Sequence, residues 1–209
     1  MLCGAHRTGK TTLAKAFSNY SGMPFVQTGA SHVFADMGLD PKVDYPLEVR
    51  LDIQKRILDT FEKQCSSVRT KHFITDRTPI DFMAYMMADI QRENVRGQLE
   101  KDIERYFADC ASVCNLLFSI VVVLQPGIPL VEEEGKAPAN MPYIEHISHL
   151  IMGIVVSEAV KSAHFYIPRD IISLEERITC MSSALAIASE KHEQRKKNMA
   201  KEGMSIVVH

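Results

Sequence analysis

The sequence predicts an α/β protein, a doubly wound parallel sheet with helices on both faces. Segments of strand character alternate with helical segments along the chain, which is the element order of such a sheet. Residues 115–124 form an apolar, β-branched run without polar alternation, as expected of an interior parallel strand. Near the start of the chain, a glycine-rich loop at residues 4–9 leads directly into a helical pattern.

The composition is that of one ordinary domain. The chain has 209 residues, 46% hydrophobic and 24% charged, and no linker divides it, so we expect a single domain over residues 1–209. The formal net charge of −2 disfavours a protein that coats nucleic acid. We expect no membrane segment, because no apolar run approaches the roughly 20 residues of a span. The five cysteines are typical of reduced thiols, which predicts a cytoplasmic protein, in the host cytoplasm if the source is viral.

The first half of the chain contains the expected elements in alternating order. Residues 1–3 are apolar but short for a first strand, and Leu13, Ala16 and Phe17 have helical spacing after the loop. Pro46 suits the first turn of a long helix. We expect a strand at 1–3, a helix at 12–20, a strand at 24–26, a polar loop at 27–44 with a short helix at 32–37, a helix at 46–65, a strand at 72–75 and a helix at 79–90.

The second half is marked by one proline-rich loop and one capping box. Residues 125–142 carry four prolines and two glycines, and we expect a mobile lid at about 127–142. Ser173, with Glu176 three residues later, predicts the start of the last helix. The basic helical segment at about 189–209 is either a solvated helix end or a contact for phosphate backbones. The other expected elements are a helix at 96–112, the strand at 115–124, a helix at 143–161, a strand at 164–167 and a helix from 173 to about 199.

Residues 4–11 match the phosphate-binding pattern G-x-x-x-x-G-K-[ST] at every fixed position. Glycines let the backbone curl until successive N–H groups point at phosphate oxygens, and the following helix adds its positive N-terminal dipole. Lys10 is placed to reach the β- and γ-phosphates of ATP, and the Thr11 hydroxyl to ligate Mg²⁺. The alternative is a glycine-rich turn without a ligand. The candidate nucleotide-binding residues are Gly4, Ala5, His6, Arg7, Thr8, Gly9, Lys10, Thr11 and Thr12.

Asp76 and Arg77 end a predicted strand, at the sheet edge where ligands of such proteins bind. Asp76 could hold Mg²⁺ together with Thr11, or accept the proton of an attacking hydroxyl as a catalytic residue beside Lys10. Its alternative role is a helix N-cap. Arg77 could clamp the acceptor or the transferred phosphate in bidentate fashion, and its alternative role is a structural ion pair.

Five further residues are candidates for binding the acceptor. Asp81 and Tyr85 lie four apart on one helix face, which either lines the cleft or leaves Asp81 as an ordinary first-turn carboxylate. Arg50 and Gln54 also lie four apart, on a face that is either solvated or in contact with substrate. Asp36, in the loop where an acceptor would enter, could bind sugar hydroxyls or form a turn.

These motifs resemble the P-loop nucleoside and nucleotide kinases. The loop at residues 4–11 and the strand ending in Asp76-Arg77 are followed by a helix with an Ala84-Tyr85 pair, a pattern similar to that of the thymidylate kinases. The sequence is also similar to ribosylnicotinamide-kinase-like P-loop proteins, which are common in bacteriophages and often labelled simply as ATPases. The resemblance implies a three-layer α/β/α P-loop NTPase fold with a parallel sheet and a mobile lid, and ATP and Mg²⁺ as cofactors.

The match to the ribosylnicotinamide-type proteins extends to the helix before the Asp-Arg strand, where Arg50 and Gln54 could supply the Arg and Gln of that group. The chain departs from the pattern elsewhere. Gln27 and Thr28 stand where these proteins tend to have an acidic residue, which puts ribosylnicotinamide in doubt as the substrate. The lid lacks the arginine that such lids often carry. Lys136 is the candidate to replace it, although the three neighbouring glutamates are equally compatible with a solvated loop.

We therefore expect an ATP-dependent kinase that moves the γ-phosphate of ATP to a nucleoside, a nucleotide or a related small-molecule acceptor. One alternative is a kinase acting on a modified base or an end within DNA, which the basic segment and the phage-like resemblance favour and the net charge opposes. The other is an ATP hydrolase or nucleotide-binding module coupled to a partner. Such hydrolases usually carry two carboxylates at the strand end, whereas this strand ends Asp-Arg. The sequence is compatible with a homodimer.

Overall fold

The computed structural model describes residues 1–41, 43–91, 93–132 and 139–201, and strands and helices alternate along them. Within these ranges, no helix is both long enough and apolar enough to cross a membrane. The elements are β1 (Leu2–Cys3), α1 (Lys10–Ser21), β2 (Phe25–Val26), α2 (Ala30–Asp36), α3 (Leu47–Ser66), β3 (Ile74–Thr75), α4 (Pro79–Ile90), α5 (Gln98–Leu117), β4 (Ile120–Leu124), α6 (Met141–Val155), β5 (Ala163–Ile167) and α7 (Leu174–Lys201).

Every strand pairing in the described part of the chain is parallel. Strand β4 lies between β1 and β5, with Leu2 opposite Val122 and Val122 opposite Phe165. Strands β2 and β3 pair with each other, with Phe25 opposite Ile74. The loops that follow paired parallel strands leave from the same edge of a sheet, which is where such folds bind ligands. The parallel α/β arrangement confirms the predicted fold class.

Helices cover the strands on both faces, so the fold has three layers. Alternate residues of β4 belong to different hydrophobic clusters, because successive strand side chains point to opposite faces. Val121 and Val123 pack in a cluster with residues of α3, α4, α5 and α6. Val122 and Leu124 pack in a second cluster, with residues of α1 and α7. Burial on both faces explains why this strand shows no polar alternation in its sequence.

The largest differences from the predicted element boundaries lie between α5 and β4 and at the end of α6. Residues 115–117, assigned to a strand from the sequence, form the last turn of α5. The buried Cys110 and Cys114 lie four apart on the inner face of that helix, so the helical pattern continues further than its polar composition indicates. Helix α6 ends six residues earlier than predicted, where the Ser157 hydroxyl donates to the Ile154 carbonyl at 2.6 Å.

Capping side chains fix the starts of α4 and α7. At α7, the Ser173 hydroxyl accepts the Glu176 amide at 3.2 Å and donates to its carboxylate at 2.7 Å, which confirms the predicted capping box. At α4, Thr78 makes the same two bonds with Asp81. Thr78, and not Asp76, is therefore the N-cap of α4, and the Asp76 carboxylate faces other partners.

Candidate active site

The phosphate loop, residues 4–11, lies between β1 and the first turn of α1, and its geometry requires both motif glycines. Gly9 has φ 85°, a left-handed backbone that favours glycine. A Cβ atom at Gly9 would lie 2.7 Å from Cδ1 of Ile128. A Cβ atom at Gly4 would lie 2.6 Å from the carbonyl oxygen of Leu124, the last residue of β4. The glycines therefore let the loop approach β4 and the segment that follows it.

The Lys10 side chain is folded against its own loop. Its ammonium group donates to the carbonyl oxygens of Gly4 at 2.7 Å and Ala5 at 2.6 Å, and only 5% of the residue is exposed. Burial, and then the nearby charge of Arg77, lower the pKa of Lys10 to about 7. The loop thus holds a desolvated ammonium group whose two carbonyl partners phosphate oxygens can replace.

The Thr11 hydroxyl and the Asp76 carboxylate meet beside the phosphate loop. Thr11 Oγ1 donates to Asp76 Oδ2 at 2.5 Å, while the Thr28 amide donates to Oδ1 at 3.3 Å. These hard oxygen donors fit Mg²⁺, which binds through one or two protein groups and takes its other ligands from phosphate and water. Among the described residues, no group of three or more His, Cys, Asp or Glu side chains is arranged to hold a metal, so a site made of protein ligands alone is not formed there.

Tyr85 connects the phosphate loop to Arg77. Its hydroxyl oxygen accepts the backbone N–H of His6 at 3.1 Å, and the Arg77 guanidinium lies over its ring, with Cζ 5.6 Å from the centroid. Burial alone would lower the pKa of Arg77, but Tyr85, Asp81 and Asp76 outweigh it and raise that pKa. Tyr85, predicted to contact the acceptor, therefore faces the loop and holds a cation beside it.

A cleft of about 580 Å³ opens over the phosphate loop. Residues 128–131 form an apolar wall of it. Arg7 joins this wall to the loop, because its guanidinium donates to the Val131 carbonyl at 3.0 Å and lies 3.7 Å from the Glu132 carboxylate. The first residues of the predicted lid thus lie against the loop, whereas Lys136 falls outside the described residues. The lining residues are His6, Arg7, Gly9, Lys10, Thr11, Thr12, Arg77, Ile128, Pro129, Leu130 and Val131.

The structure places Asp81 in the interior, which corrects its prediction as an acceptor contact. Its side chain is fully buried, and its carboxylate accepts the Gly4 amide at 3.1 Å and the Thr78 hydroxyl at 2.7 Å. Burial raises the pKa of Asp81, against the lowering effect of the Lys10 charge. The physical reason is its position in the first turn of α4, from which the side chain points back toward β1 and the loop. Asp81 therefore stabilises the start of the phosphate loop from the protein interior.

Three other acceptor candidates lie outside the lining of the cleft. Arg50 is partly exposed but already engaged: its guanidinium pairs with Asp44 and Asp89, the latter at 3.3 Å, and donates to a backbone carbonyl. The Gln54 side-chain oxygen accepts the hydroxyl of the buried Tyr106 at 3.4 Å. Asp36 is exposed at the end of α2. Helix α3 turns the face that carries Arg50 and Gln54 toward neighbouring elements rather than toward the phosphate loop.

Two residues beside the loop, Tyr143 and Arg177, were not among the site residues predicted from the sequence. The Tyr143 ring centroid lies 5.7 Å from that of His6, and burial raises the pKa of Tyr143 to about 12. Arg177, 2% exposed in the first turn of α7, donates from Nη1 to the Thr8 carbonyl at 2.9 Å. Tyr143 follows a proline after the lid, which is a weak signal of a site. Arg177 lies in a polar helical turn, 169 residues from its partner Thr8, and no sequence pattern indicates the contact.

A family model described as "AAA domain" matches residues 1–116, which include the phosphate loop, Asp76 and Arg77. The chain belongs to this family. The match covers more than half of the chain. Together with the solved structures described next, it confirms the resemblance to P-loop proteins at the level of the fold. Comparison with curated protein sequences finds no match.

Solved structures of a kinase and of a nucleotide-bound protein share the fold of this chain. Deoxyadenosine kinase from M. mycoides, with the products dCMP and a flexible dCDP bound, superposes with a TM-score of 0.63 at 16% identity, over 88% of this chain and 97% of that chain. The same enzyme with bound dATP gives a TM-score of 0.62 at 16% identity, over the same shares. YorR protein from Bacillus subtilis, in complex with phosphorylated GDP, gives 0.50 at 13% identity, over 91% and 96%. At these identities the likeness establishes the common fold.

Proposed function

We propose that the protein transfers the γ-phosphoryl group of ATP to a nucleoside, a nucleotide or a close relative. The observation that carries the proposal is the meeting of Thr11 and Asp76, 2.5 Å apart, beside a phosphate loop whose cleft is also lined by Arg77. A phosphate cradle, a hydroxyl–carboxylate pair and a fixed guanidinium are the parts that phosphoryl transfer needs. The fold shared with a deoxyadenosine kinase supports the same reaction class.

Binding of the triphosphate would use contacts that are now internal to the loop. The Lys10 ammonium would exchange the Gly4 and Ala5 carbonyls for phosphate oxygens. Thr11 and Asp76 would hold Mg²⁺, which supplies neutralisation of the charge on the β- and γ-phosphates. Because the Thr28 amide bonds the second oxygen of Asp76, the carboxylate is oriented before any ligand arrives.

The acceptor side of the reaction would use Arg77. Its guanidinium presents planar paired donors that match phosphate or a developing oxyanion. Tyr85 restrains this guanidinium from below, and the apolar wall 128–131 limits access of water to the transferred group. Water exclusion favours transfer to a bound acceptor over hydrolysis.

Incubation with γ-labelled ATP and a panel of acceptors tests the proposal. The panel holds nucleosides, nucleoside monophosphates, ribosylnicotinamide, and plain or base-modified DNA. We expect label in a nucleoside or nucleotide. Label that appears only in inorganic phosphate would identify an ATP hydrolase, and label in DNA alone would identify a kinase that modifies DNA. Either result would overturn the proposed small-molecule acceptor.

A further inference from the structure

Arg177 is a buried arginine that reaches the phosphate loop from the opposite end of the sequence. It lies one residue after the capping box of α7 and is 2% exposed. Its Nη1 donates to the Thr8 carbonyl at 2.9 Å, and its Nε donates to the Ile171 carbonyl at 2.8 Å. The second bond fixes the side chain to the turn before α7, so the guanidinium cannot swing away without breaking both contacts.

The bond to Thr8 orients a donor of the loop. A peptide group is planar and trans, so its C=O and the next N–H point in opposite directions. Because the Thr8 carbonyl points at Arg177, the N–H of Gly9 points away from Arg177. Gly9 lines the cleft, and backbone N–H groups at this position of such loops are the donors that hold phosphate. A Cβ at Gly9 would lie 3.2 Å from Nη1, so the glycine is also what lets Arg177 come this close.

The charge of Arg177 has no carboxylate partner among the described residues. Its Nη2 atom is buried without a hydrogen-bond acceptor there, and burial lowers its pKa. A buried cation without a counter-charge is costly to the fold. Polyphosphate bound at the loop would bring negative charge next to it and offset part of that cost.

We propose that Arg177 is a positioning residue for nucleotide phosphates: it aims the Gly9 amide into the cleft and places a positive charge behind the loop. This inference deepens the proposed function. It depends on one part of that proposal, the binding of a polyphosphate at the loop. A group that acts through the backbone and the local field should affect the phosphate part of a nucleotide and not its base.

Isothermal titration of MgATP and of inorganic tripolyphosphate into wild type, R177M and the control R105M tests the inference. Arg105 is an exposed arginine on α5. We expect R177M to weaken both ligands by about tenfold or more, in line with the loss of charge-assisted contacts, and R105M to leave both affinities unchanged. The inference is overturned if folded R177M binds both ligands within twofold of wild type, or if only MgATP weakens.

A conservative variant covers the case in which R177M does not fold. R177K keeps the charge but has no planar fork to bond Thr8 and Ile171 together. A loss of about threefold or more in tripolyphosphate affinity supports the inference, and an affinity equal to that of wild type overturns it. If wild type itself binds neither ligand, the proposed function fails and this inference with it. If wild type binds both and Arg177 variants bind equally well, only this inference fails.

Discussion

The phosphate loop and the Arg50 side of helix α3 are held by different kinds of contact. At the phosphate loop, buried side chains hold the backbone. Lys10 donates to a loop carbonyl, the Asp81 carboxylate accepts the Gly4 amide, and Arg177 donates to the Thr8 carbonyl. On the α3 side, Arg50 forms ion pairs that remain partly open to solvent. Polar contacts in a water-poor interior are stronger than exposed ion pairs and harder to replace. The polar contacts of the phosphate loop are thus shielded from water, while those of Arg50 are screened by solvent.

Replacement of Lys10 should give the largest effect. Lys10→Ala removes the ammonium group that would meet the transferred phosphoryl, and we expect kcat/KM for label transfer to fall about a hundred- to a thousandfold. Lys15→Ala, on the exposed face of the same helix, is the matched control and should keep the wild-type rate. A Lys10→Ala rate within tenfold of wild type would show that the loop cation is not central.

Replacement of Asp76 should come next. Asp76→Asn keeps an acceptor for the Thr11 hydroxyl but removes the negative charge that attracts Mg²⁺, so we expect kcat to fall about a hundredfold. Higher Mg²⁺ concentration should restore part of the loss. Asp36→Asn, at an exposed position, serves as control. If Asp76→Asn stays within a few-fold of wild type, neither metal binding nor proton acceptance belongs to this residue.

The lowered pKa of Lys10 predicts opposite pH trends for affinity and stability. Because the pKa of Lys10 is about 7, its ammonium group loses a proton above pH 7 in the ligand-free protein. Bound phosphate would keep Lys10 protonated to a higher pH. We expect ATP affinity to fall by up to about tenfold per pH unit above pH 7. The unfolded chain keeps the proton up to the ordinary lysine pKa of 10.5, so the ligand-free protein should gain stability over the same rise in pH.

Titration calorimetry and thermal unfolding at pH 6.5, 7.5 and 8.5 check both trends. Lys10→Ala is the control, since it retains the titration of ATP itself but lacks this lysine. The same pH slope of affinity in wild type and Lys10→Ala would contradict the assignment.

Arg50 should give the smallest effect. Arg50→Met removes partly exposed ion pairs to Asp44 and Asp89, so the free energy of unfolding should drop by at most about 1 kcal/mol. ATP affinity should remain as in wild type, because Arg50 does not line the cleft. Urea unfolding and calorimetry measure the two quantities. A tenfold loss of ATP affinity here would contradict the distinction between the phosphate loop and α3.

Local patterns predicted the parts of the site that are contiguous in sequence. The loop at residues 4–11 and the capping box at Ser173 are short-range features, since each depends on residues within a few positions of one another. Asp76 and Arg77 were predicted because a strand end beside a phosphate loop is a ligand edge. Their catalytic roles stay predictions.

Long-range contacts explain what the sequence left open. Asp81 meets Gly4 across 77 positions and Arg177 meets Thr8 across 169, so no local period reveals either bond. For Asp81, helical spacing predicted a shared face with Tyr85, but it cannot tell whether that face meets solvent or another element. The Arg50–Asp89 ion pair was equally hidden, because it depends on how α3 packs beside α4.

Gly9 is confined by two residues that are far apart in the sequence, Ile128 and Arg177. A methyl group there would press on Ile128 from one direction and on Arg177 from another, in addition to the cost of its left-handed backbone. Any other residue at this position would therefore combine backbone strain with crowding against two side chains. Changes at Ile128 and Arg177 could relieve the crowding around a side chain at Gly9, but the left-handed backbone would still favour glycine there.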